Sequence, residues 1–300
     1  MVPNFFLIGA PKCGTTSLVS WLSRHDDVFM CTPKEPFYFS SDVKSLRAVR
    51  AWPDYLKLFE ASEGERAIGE ASTTYLRSEV AVPSIIEQLP EARFVVCLRN
   101  PVEMVASVHA QLVRGAREDV LDLRAALDLE PLRRKGKCLP SGTLEPADLF
   151  YSEVCALGSQ LGRLYKVADR KKVHLVFMDD LKASPRKIWV GLQKFLGVAD
   201  DGRSDFPVRN VRAKPRSPFA TKVLRDLHRI KLGVLPNTTL SIGSKLQKLS
   251  ERPSYPTERL IAPELRAALI QQFNDEVLML EELTNRDLSA WREDTRPQTQ

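Results

Sequence analysis

The stretch that most restricts the fold of this chain is "FFLIGAPKCGTTSLVSWL", residues 5 to 22. It begins with a wholly apolar run, Phe5 to Ile8, which is typical of a strand buried on both faces of a parallel sheet. From Thr15 to Leu22 the apolar residues take up helical spacing, and Thr15 or Thr16 is expected to cap the helix. This order of strand, glycine-containing loop and helix is the one that a phosphate-binding loop requires.

The loop between this strand and helix resembles a phosphate-binding loop with a displaced lysine. Gly9 and Gly14 keep the spacing of the G-x-x-x-x-G-K-[ST] motif, but Thr15 stands where the lysine belongs and Lys12 lies inside the loop. A triphosphate therefore fits poorly, because the lysine after the second glycine normally reaches the β- and γ-phosphates. Backbone N–H groups and Lys12 favour an anion here, while a purely structural glycine turn stays open. The residues predicted to contact the anion are Lys12, Cys13, Gly14, Thr15, Thr16 and Ser17.

Further strands are predicted at Ala67 to Gly69, Arg93 to Leu98 and Val173 to Met178, each followed by a turn and a helical pattern. This alternation predicts an α/β fold of three layers, P-loop-like, with helices on both faces of a central parallel sheet. Amphipathic helices follow the last strand, the final one from about Pro263 to Leu283. We expect a domain at residues 1–215 and a C-terminal helical extension, residues 216–300, packed on the same domain.

An arginine is predicted to face the same crevice as the loop. In "CLRNPVEMVASVHAQL", residues 97 to 112, Arg99 ends a buried strand and Ser107 falls two turns into the next helix. Ligands of open α/β sheets gather at the carboxyl ends of the strands, so Arg99 and Lys12 should lie together. A guanidinium there can bind a second phosphate with two hydrogen bonds. A salt bridge for Arg99 and an inert helix position for Ser107 remain the alternatives.

Together these motifs resemble the sulfotransferases that use 3′-phosphoadenosine 5′-phosphosulfate (PAPS), particularly the branch with the heparan sulfate sulfotransferases and many bacterial relatives. "IGAPKCGTTSL" is similar to that family's 5′-phosphosulfate loop, and "LRNPVEMVASVH" to its 3′-phosphate motif. "VHLVFMDDLKASPRKIWVGLQKFLGV" is similar to its final strand and helix. The resemblance spans about residues 4 to 215, and three motifs in the family's order are more specific than any one.

The resemblance implies a co-substrate and roles for the residues of both phosphate motifs. PAPS would be the donor and adenosine 3′,5′-bisphosphate the product, with no bound metal. Arg99 and Ser107 would contact the 3′-phosphate, and Lys12 would stabilise the oxygen between sulfur and phosphorus as it gathers charge on leaving.

Transfer to a hydroxyl also needs a general base, and Glu35 in "CTPKEPFYFS" is the candidate. It follows a short strand, two prolines flank it, and the aromatic residues 37 to 39 are expected to shield its carboxylate from water. The resemblance gives a glutamate in a similar setting the role of base. The alternative is a surface acid paired with Lys34.

Two further segments carry binding predictions from the resemblance. "GEASTTYLRS", residues 69 to 78, is similar to a segment beside the acceptor site, where Glu70, Ser72 and Tyr75 either bind acceptor hydroxyls or cap the loop among themselves. "NVRAKPRSP", residues 210 to 218, is similar to a basic loop that closes over the cofactor, although the family's K-G-R form is absent. Its candidates are Arg212, Lys214 and Arg216.

The histidines and the charged insertion are assigned no catalytic role. His109 lies two residues after Ser107, so it is turned about 200° away from the serine on the helix, and His25 is expected in an exposed loop. His174 and His228 have no partners at ligand spacing. Residues 115 to 146 form a polar insertion, either a lid or a solvated excursion, and its "RRKGK" at 133 to 137 either favours an acidic acceptor or is solvated.

The bulk composition restricts the remaining function classes. The formal net charge of +6 suits an anionic ligand but not a dedicated nucleic-acid binder. The five scattered cysteines indicate neither a disulfide framework nor a zinc site, and no apolar run is long enough to span a bilayer. We expect a cytoplasmic enzyme with buried, reduced thiols, a small-molecule or glycan acceptor and no stable membrane insertion. A P-loop kinase and a non-catalytic nucleotide or sulfated-glycan binding module are the alternatives, and the oligomeric state is not readable.

Overall fold

The computed structural model describes residues 1–43, 47, 49–208, 213–215, 251–253 and 261–294, the two three-residue pieces by their backbone. In this part of the chain five strands form a parallel sheet: β1 (Phe5–Gly9), β2 (Val28–Met30), β3 (Ala67–Ala71), β4 (Arg93–Leu98) and β5 (Val173–Phe177). Their order across the sheet is β2-β3-β1-β4-β5. The predicted α/β class with a central parallel sheet is confirmed.

The central strands of the sheet are buried because helices cover both faces of the sheet. Every residue of β1 and β3 is buried, as expected of strands without a solvent face. Phe5 of β1 is paired in register with Gly69 of β3. A Cβ atom on Gly69 would lie 2.2 Å from the Phe5 ring, so the missing side chain makes room for that ring. The glycine at position 69 is therefore compatible with this register, in which Phe5 lies opposite it.

Helices connect and follow the strands. They are α1 (Thr15–Leu22), α2 (Trp52–Lys57), α3 (Ala81–Gln88), α4 (Pro101–Arg114), α5 (Leu123–Asp128), α6 (Glu130–Arg133), α7 (Tyr151–Val154), α8 (Leu157–Val167), α9 (Met178–Ala183), α10 (Pro185–Leu196), α11 (Pro263–Gln272) and α12 (Asn274–Thr284). Short 3₁₀ turns occur at Pro146–Leu149, Arg170–Lys172 and Ser289–Trp291. The single helix predicted from Pro263 to Leu283 is wrong, because the chain departs from helical geometry at the buried Phe273 (φ −98°, ψ 6°).

The chain divides into two compact units. The first comprises Met1–Met104, Val154–Asn210 and Ala267–Gln300, and it contains the whole five-stranded sheet. The second comprises Val105–Glu153 and Val211–Arg266. In it, β6 (Ala213–Pro215) and β7 (Glu251–Pro253) form an antiparallel pair. The sequence-predicted domain at residues 1–215 and its C-terminal extension stay a prediction.

The strand order creates a switch point beside β1. The first crossovers place β3 on one side of β1, and the chain then returns to place β4 on the other side. The turns after β1 and β4 therefore lie at the same edge of the sheet, where ligands of open α/β folds bind.

The C-terminal part of the first unit packs on helices that follow the sheet. Gly158 of α8 meets α12 closely, since a Cβ atom on it would lie 2.4 Å from the carbonyl oxygen of Glu276. The Glu276 carboxylate accepts hydrogen bonds from the backbone N–H and hydroxyl of Ser159 at 2.8 and 2.5 Å. Beyond α12, residues 286–291 form a segment that we call the C-terminal return. Its Arg286 pairs with Asp180 of α9.

Candidate active site

The turn after β1 ends at Gly14, in a backbone conformation that favours glycine. Gly14 has φ 88°, and a Cβ atom there would lie 2.8 Å from Cδ2 of Leu181. It is the N-cap of α1, and no side chain caps the helix. The prediction that Thr15 or Thr16 caps α1 is wrong, because both lie within the helix. The first N–H groups of α1 are thus available to an anion.

Arg99 lies directly against this turn. Its Nη1 donates to the backbone carbonyl oxygen of Lys12 at 3.1 Å, and the backbone N–H of Ala10 donates to the Cys97 carbonyl oxygen at 2.8 Å. The turns after β1 and β4 therefore meet, as the topology predicted. Glu103, one helical turn further on, approaches Nη2 of Arg99 only to 4.0 Å. The alternative of a salt bridge to a neighbouring acid is present as a long contact.

Cys13 contributes its backbone to the turn, because its side chain points into the core. The thiol is buried and lies 3.9 Å from Sδ of Met104. Burial raises the pKa of the Cys13 thiol to about 12, so the side chain stays protonated. Thr15 and Ser17 are also buried, and Thr16 is partly exposed.

The loop after β2 presents Glu35 on a strained backbone. Glu35 and Phe37 have φ values of 64° and 53°, a region that costs a non-glycine residue about 1 to 3 kcal/mol. Three backbone N–H groups of this loop donate hydrogen bonds to the end of β3 and the turn that follows it. The N–H of Glu35 donates to the Ala71 carbonyl oxygen at 3.0 Å, that of Phe37 to Oγ of Ser72 at 3.2 Å, and that of Phe39 to the hydroxyl of Tyr75 at 3.2 Å.

The Glu35 carboxylate has two polar neighbours. Oγ1 of Thr73 donates to its Oε1 at 3.1 Å, and Nζ of Lys34 lies 3.3 Å from the same oxygen. The side chain retains 33% exposure, so the shielding expected from the aromatic residues that follow is partial. The ion pair with Lys34, weighed above as an alternative to catalysis, is present and partly exposed.

The three predicted acceptor residues are fully buried in this structure. Glu70, Ser72 and Tyr75 have no exposed surface, and Ser72 and Tyr75 are bonded to the Glu35 loop. The hydroxyl of Tyr55 donates to Oε2 of Glu70 at 2.8 Å. Burial raises the pKa of Glu70 to about 7, against the opposing effect of the Tyr55 hydrogen bond. Contact of these residues with an acceptor stays a prediction, and the bonds that are seen support the loop of Glu35.

The other predicted cofactor residues are placed less completely. Ser107 is a buried residue of α4 in the second unit. The backbone of Lys214 lies in β6, opposite Arg252 of β7. Arg212 and Arg216 lie outside the described residues.

The sequence reasoning missed a buried ionic cluster in the second unit. Arg133 donates to both carboxylate oxygens of Glu118 at 2.6 and 2.7 Å, and the hydroxyl of Tyr151 donates to the same carboxylate at 2.7 Å. Both charged side chains are completely buried. Burial alone would raise the pKa of Glu118, but the hydrogen bonds from Arg133 and its neighbours lower it below its usual value.

This cluster corrects the interpretation of "RRKGK" as a uniformly solvated run. Arg133 is a core residue, while Arg134 pairs with Glu130 and Glu153 at the surface. No local signal in the sequence marks this cluster, because Glu118 stands between Arg117 and Asp119 in a charged insertion.

The histidines have structural partners where they are described. His109 is buried, and its Nε2 lies 2.9 Å from the Val120 carbonyl oxygen. His25 is buried rather than exposed, so that expectation is wrong: Nε2 lies 2.9 Å from the Ala199 carbonyl oxygen. Burial lowers the pKa of His174 to about 4. His228 lies outside the described residues.

Metal ligands, membrane-spanning helices and cysteines bear on the remaining predictions. In the described ranges no three His, Cys, Asp or Glu side chains converge as a metal site would require. No helix among those ranges is both long and apolar enough to cross a bilayer. All five cysteines are free, four of them buried as expected, whereas Cys138 is exposed and departs from that prediction.

The central parallel sheet with helices on both faces, together with the meeting of the turns after β1 and β4, defines a P-loop-like α/β protein. The chain belongs to the sulfotransferase family, whose model, described as "Sulfotransferase domain", matches residues 3–218. The solved sulfotransferase from Alicyclobacillus acidocaldarius is 27% identical, with a TM-score of 0.73 and coverage of 98% of this chain and 100% of that one.

Curated relatives carry the same family assignment. Human carbohydrate sulfotransferase 15 is 30% identical over 291 residues, which cover 76% of this chain and 52% of the relative. The bifunctional heparan sulfate N-deacetylase/N-sulfotransferase 1 of Caenorhabditis briggsae is 25% identical over 235 residues, covering 74% of this chain and 25% of the relative. The matches span half or less of most curated relatives, between 21% and 52% of their length.

Proposed function

We propose that this protein transfers a sulfuryl group from PAPS to an acceptor hydroxyl. The observation that carries the proposal is the contact of Arg99 with the Lys12 carbonyl oxygen, which puts a guanidinium beside the uncapped start of α1. One nucleotide with phosphates at two positions suits two such anion sites at one edge of a sheet. Family membership supports the same donor.

The phosphate turn fits a phosphosulfate. The N–H groups at the start of α1 and the side chain of Lys12 would hold the 5′ end, and Arg99 with Ser107 would hold the 3′-phosphate. Arg212, Lys214 and Arg216 are the candidates for closing over the nucleotide. PAPS supplies an activated sulfuryl group, joined to its 5′-phosphate through the oxygen that leaves.

Glu35 and Lys12 divide the work of an in-line displacement. Glu35 would accept the hydroxyl proton as the acceptor oxygen forms its bond to sulfur. Lys12 would stabilise the negative charge that the bridging oxygen gains as its bond to sulfur breaks, yielding a sulfated acceptor and adenosine 3′,5′-bisphosphate. Placing one donor at a developing charge is typically worth about 3 to 4 kcal/mol. No step in this scheme requires a metal ion.

The acceptor class is a separate question. Carbohydrate, lipid and small-molecule hydroxyls all suit a glutamate base, and the relative named carbohydrate sulfotransferase makes carbohydrate hydroxyls the first class to test. Transfer to nitrogen is tested by including amine acceptors in the same turnover assay. A cytoplasmic location is proposed on the sequence alone.

Calorimetry with the intact chain tests the donor. We expect tight binding of adenosine 3′,5′-bisphosphate and weak binding of ATP with Mg²⁺, because Thr15 replaces the lysine of a triphosphate loop. A preference for ATP would favour the kinase alternative and end this proposal.

Turnover is tested with radiolabelled PAPS and a panel of hydroxyl acceptors. Lys12→Ala should lower kcat about 10²- to 10³-fold, and Glu35→Gln about 10²- to 10⁴-fold. The exposed Lys171→Ala and Glu87→Gln serve as matched controls. Equal rates for the wild type and Glu35→Gln would remove Glu35 as the base. Donor binding without transfer to any acceptor would favour a binding module.

A further inference from the structure

Lys34, the residue before the candidate base, contacts both that base and the start of α1. Nζ of Lys34 lies 3.3 Å from Oε1 of Glu35 and 3.5 Å from Oγ1 of Thr16. Thr16 is the second residue of α1, in the turn of helix where the donor's 5′ end would bind. One ammonium therefore touches both the base and the anion-binding end of α1.

The position of Lys34 relative to β4 agrees with this placement. Its positive charge opposes the rise that burial causes in the pKa of the Cys97 thiol. Cys97 lies in β4, two residues before Arg99, so the ammonium is near the edge of the sheet at which the turns after β1 and β4 meet. The contacts with Glu35 and Thr16 place the charge between the loop after β2 and the start of α1.

We infer that Lys34 is a further catalytic residue, whose ammonium binds a non-bridging oxygen of the sulfuryl group as it passes from donor to acceptor. The inference rests on the proposed function. The bond between sulfur and the donor's bridging oxygen breaks while the bond to the acceptor oxygen forms, and the acceptor proton goes to Glu35. Lys34 keeps its own protons throughout and supplies only positive charge and a hydrogen bond.

A role limited to holding Glu35 explains the contacts less well. The backbone of Glu35 is fixed by the Ala71 carbonyl oxygen and its carboxylate by Thr73, so the base is oriented without Lys34. The side chains of Lys34 and Glu35 are 27% and 33% exposed, and an ion pair at such exposure is worth at most about 1 kcal/mol. An ammonium has three donors. With two of them directed at Glu35 and Thr16, the third can reach a sulfuryl oxygen.

The first test separates the sulfuryl group from the rest of the donor. Calorimetry without acceptor compares PAPS with adenosine 3′,5′-bisphosphate, which lacks that group, for the wild type, Lys34→Met and the exposed control Lys171→Met. Lys34→Met should weaken PAPS binding about tenfold and leave bisphosphate binding within about twofold, whereas Lys171→Met should change neither. Equal weakening of both ligands, or of neither, would overturn the inference.

The second test asks whether Lys34 acts through Glu35. Lys34→Met should lower kcat about 100-fold, with partial recovery in Lys34→Arg, and should lower the residual kcat of Glu35→Gln by a similar factor. If Lys34 only positions the base, its removal costs nothing further in the Glu35→Gln background, and the inference fails. Lys34→Gln is a neutral, polar replacement of similar length to use if Lys34→Met unfolds.

The two proposals fail in distinguishable ways. A wild-type protein that neither binds the bisphosphate nor transfers the label contradicts the sulfotransferase proposal itself. A wild-type protein that does both, with Lys34→Met equal to it in PAPS affinity and kcat, contradicts only the role of Lys34.

Discussion

Two buried glutamates, one in each unit, have pKa values shifted in opposite directions. Glu70 in β3 receives a hydrogen bond from Tyr55, and burial raises its pKa to about 7. Glu118 in the second unit receives two hydrogen bonds from Arg133 and one from Tyr151, and these lower its pKa despite burial. Both carboxylates are buried, and the hydrogen bonds from Arg133 are the largest effect that lowers the pKa of Glu118, whereas Glu70 has no such cation among the causes of its shift.

The difference has opposite consequences for stability as pH changes. The native pKa of Glu70 lies above its unfolded value, so stability falls as pH rises between about 4.5 and 7, by about 3 kcal/mol in total. The native pKa of Glu118 lies below its unfolded value, so its contribution is present above that value and is lost as pH falls through the native pKa.

The largest expected effect comes from breaking the ionic cluster. Glu118→Gln should lower the free energy of unfolding by about 3 to 5 kcal/mol at pH 7, because Arg133 remains buried without its counter-ion. Urea denaturation measures this. Glu153→Gln, at the exposed pair with Arg134, should cost less than about 1 kcal/mol.

The double variant Glu118→Gln/Arg133→Met checks the cause of that loss. Removing both charges should recover part of the stability that Glu118→Gln loses, since no isolated charge remains in the core. Additive losses in the double variant would contradict an origin in the unpaired arginine.

The next effect is expected at Glu70, and it should depend on pH. Glu70→Gln removes the cost of a buried charge, so the variant should be more stable than the wild type by about 2 to 3 kcal/mol at pH 8 and nearly equal to it at pH 5. Urea denaturation at both pH values tests this, with the exposed Glu87→Gln as control. A stability difference that is the same at both pH values would show that Glu70 is not the titrating group.

A smaller effect should follow when the cluster keeps its charge but loses its geometry. Arg133→Lys retains the cation but cannot donate to both oxygens of Glu118 in parallel, so a loss of about 2 kcal/mol is expected at pH 7. The exposed Arg124→Lys, paired with Asp128, should be nearly neutral in the same measurement. Equal stability of both variants would contradict a requirement for two-point bonding.

The smallest effect is expected at the partner of Glu70. Tyr55→Phe should cost about 1 kcal/mol at pH 5, and more at pH 8, where the hydroxyl donates to a charged carboxylate. The midpoint of the pH dependence that Glu70→Gln abolishes should also move upward. Thermal denaturation from pH 5 to 8 measures this pH dependence. If Tyr55→Phe leaves the pH at its midpoint unchanged, the pairing of Tyr55 with Glu70 is contradicted.

The sequence predicted those parts of the fold that local patterns determine. The apolar runs of β1, β4 and β5 and the spacing of Gly9 and Gly14 are each contained within a few residues. Their order in the chain then implied that Arg99 would lie against the turn of Lys12. These inferences need only strand periodicity and the topology of parallel sheets.

The features that the sequence did not predict depend on contacts between residues that are distant in the chain. Charged residues in a polar insertion are usually solvated, so nothing local marked Arg133 as the partner of Glu118. His25 is buried, and its Nε2 is hydrogen-bonded to the carbonyl oxygen of Ala199, which lies 174 residues away. The position of Lys34 depends on a contact between the loop after β2 and the start of α1. Site roles drawn from the resemblance stay predictions until the variants above are measured.

The C-terminal return also bears on how the protein is prepared. Arg286 and Trp291 bond to Asp180 and Asp179 on α9, the helix whose Leu181 lies against Gly14. A protein shortened to the residues that match the family model would lack the C-terminal return, which supports α9, and α12, which packs on α8. A truncated product would be a poor reagent for measuring donor affinity, however complete its motifs.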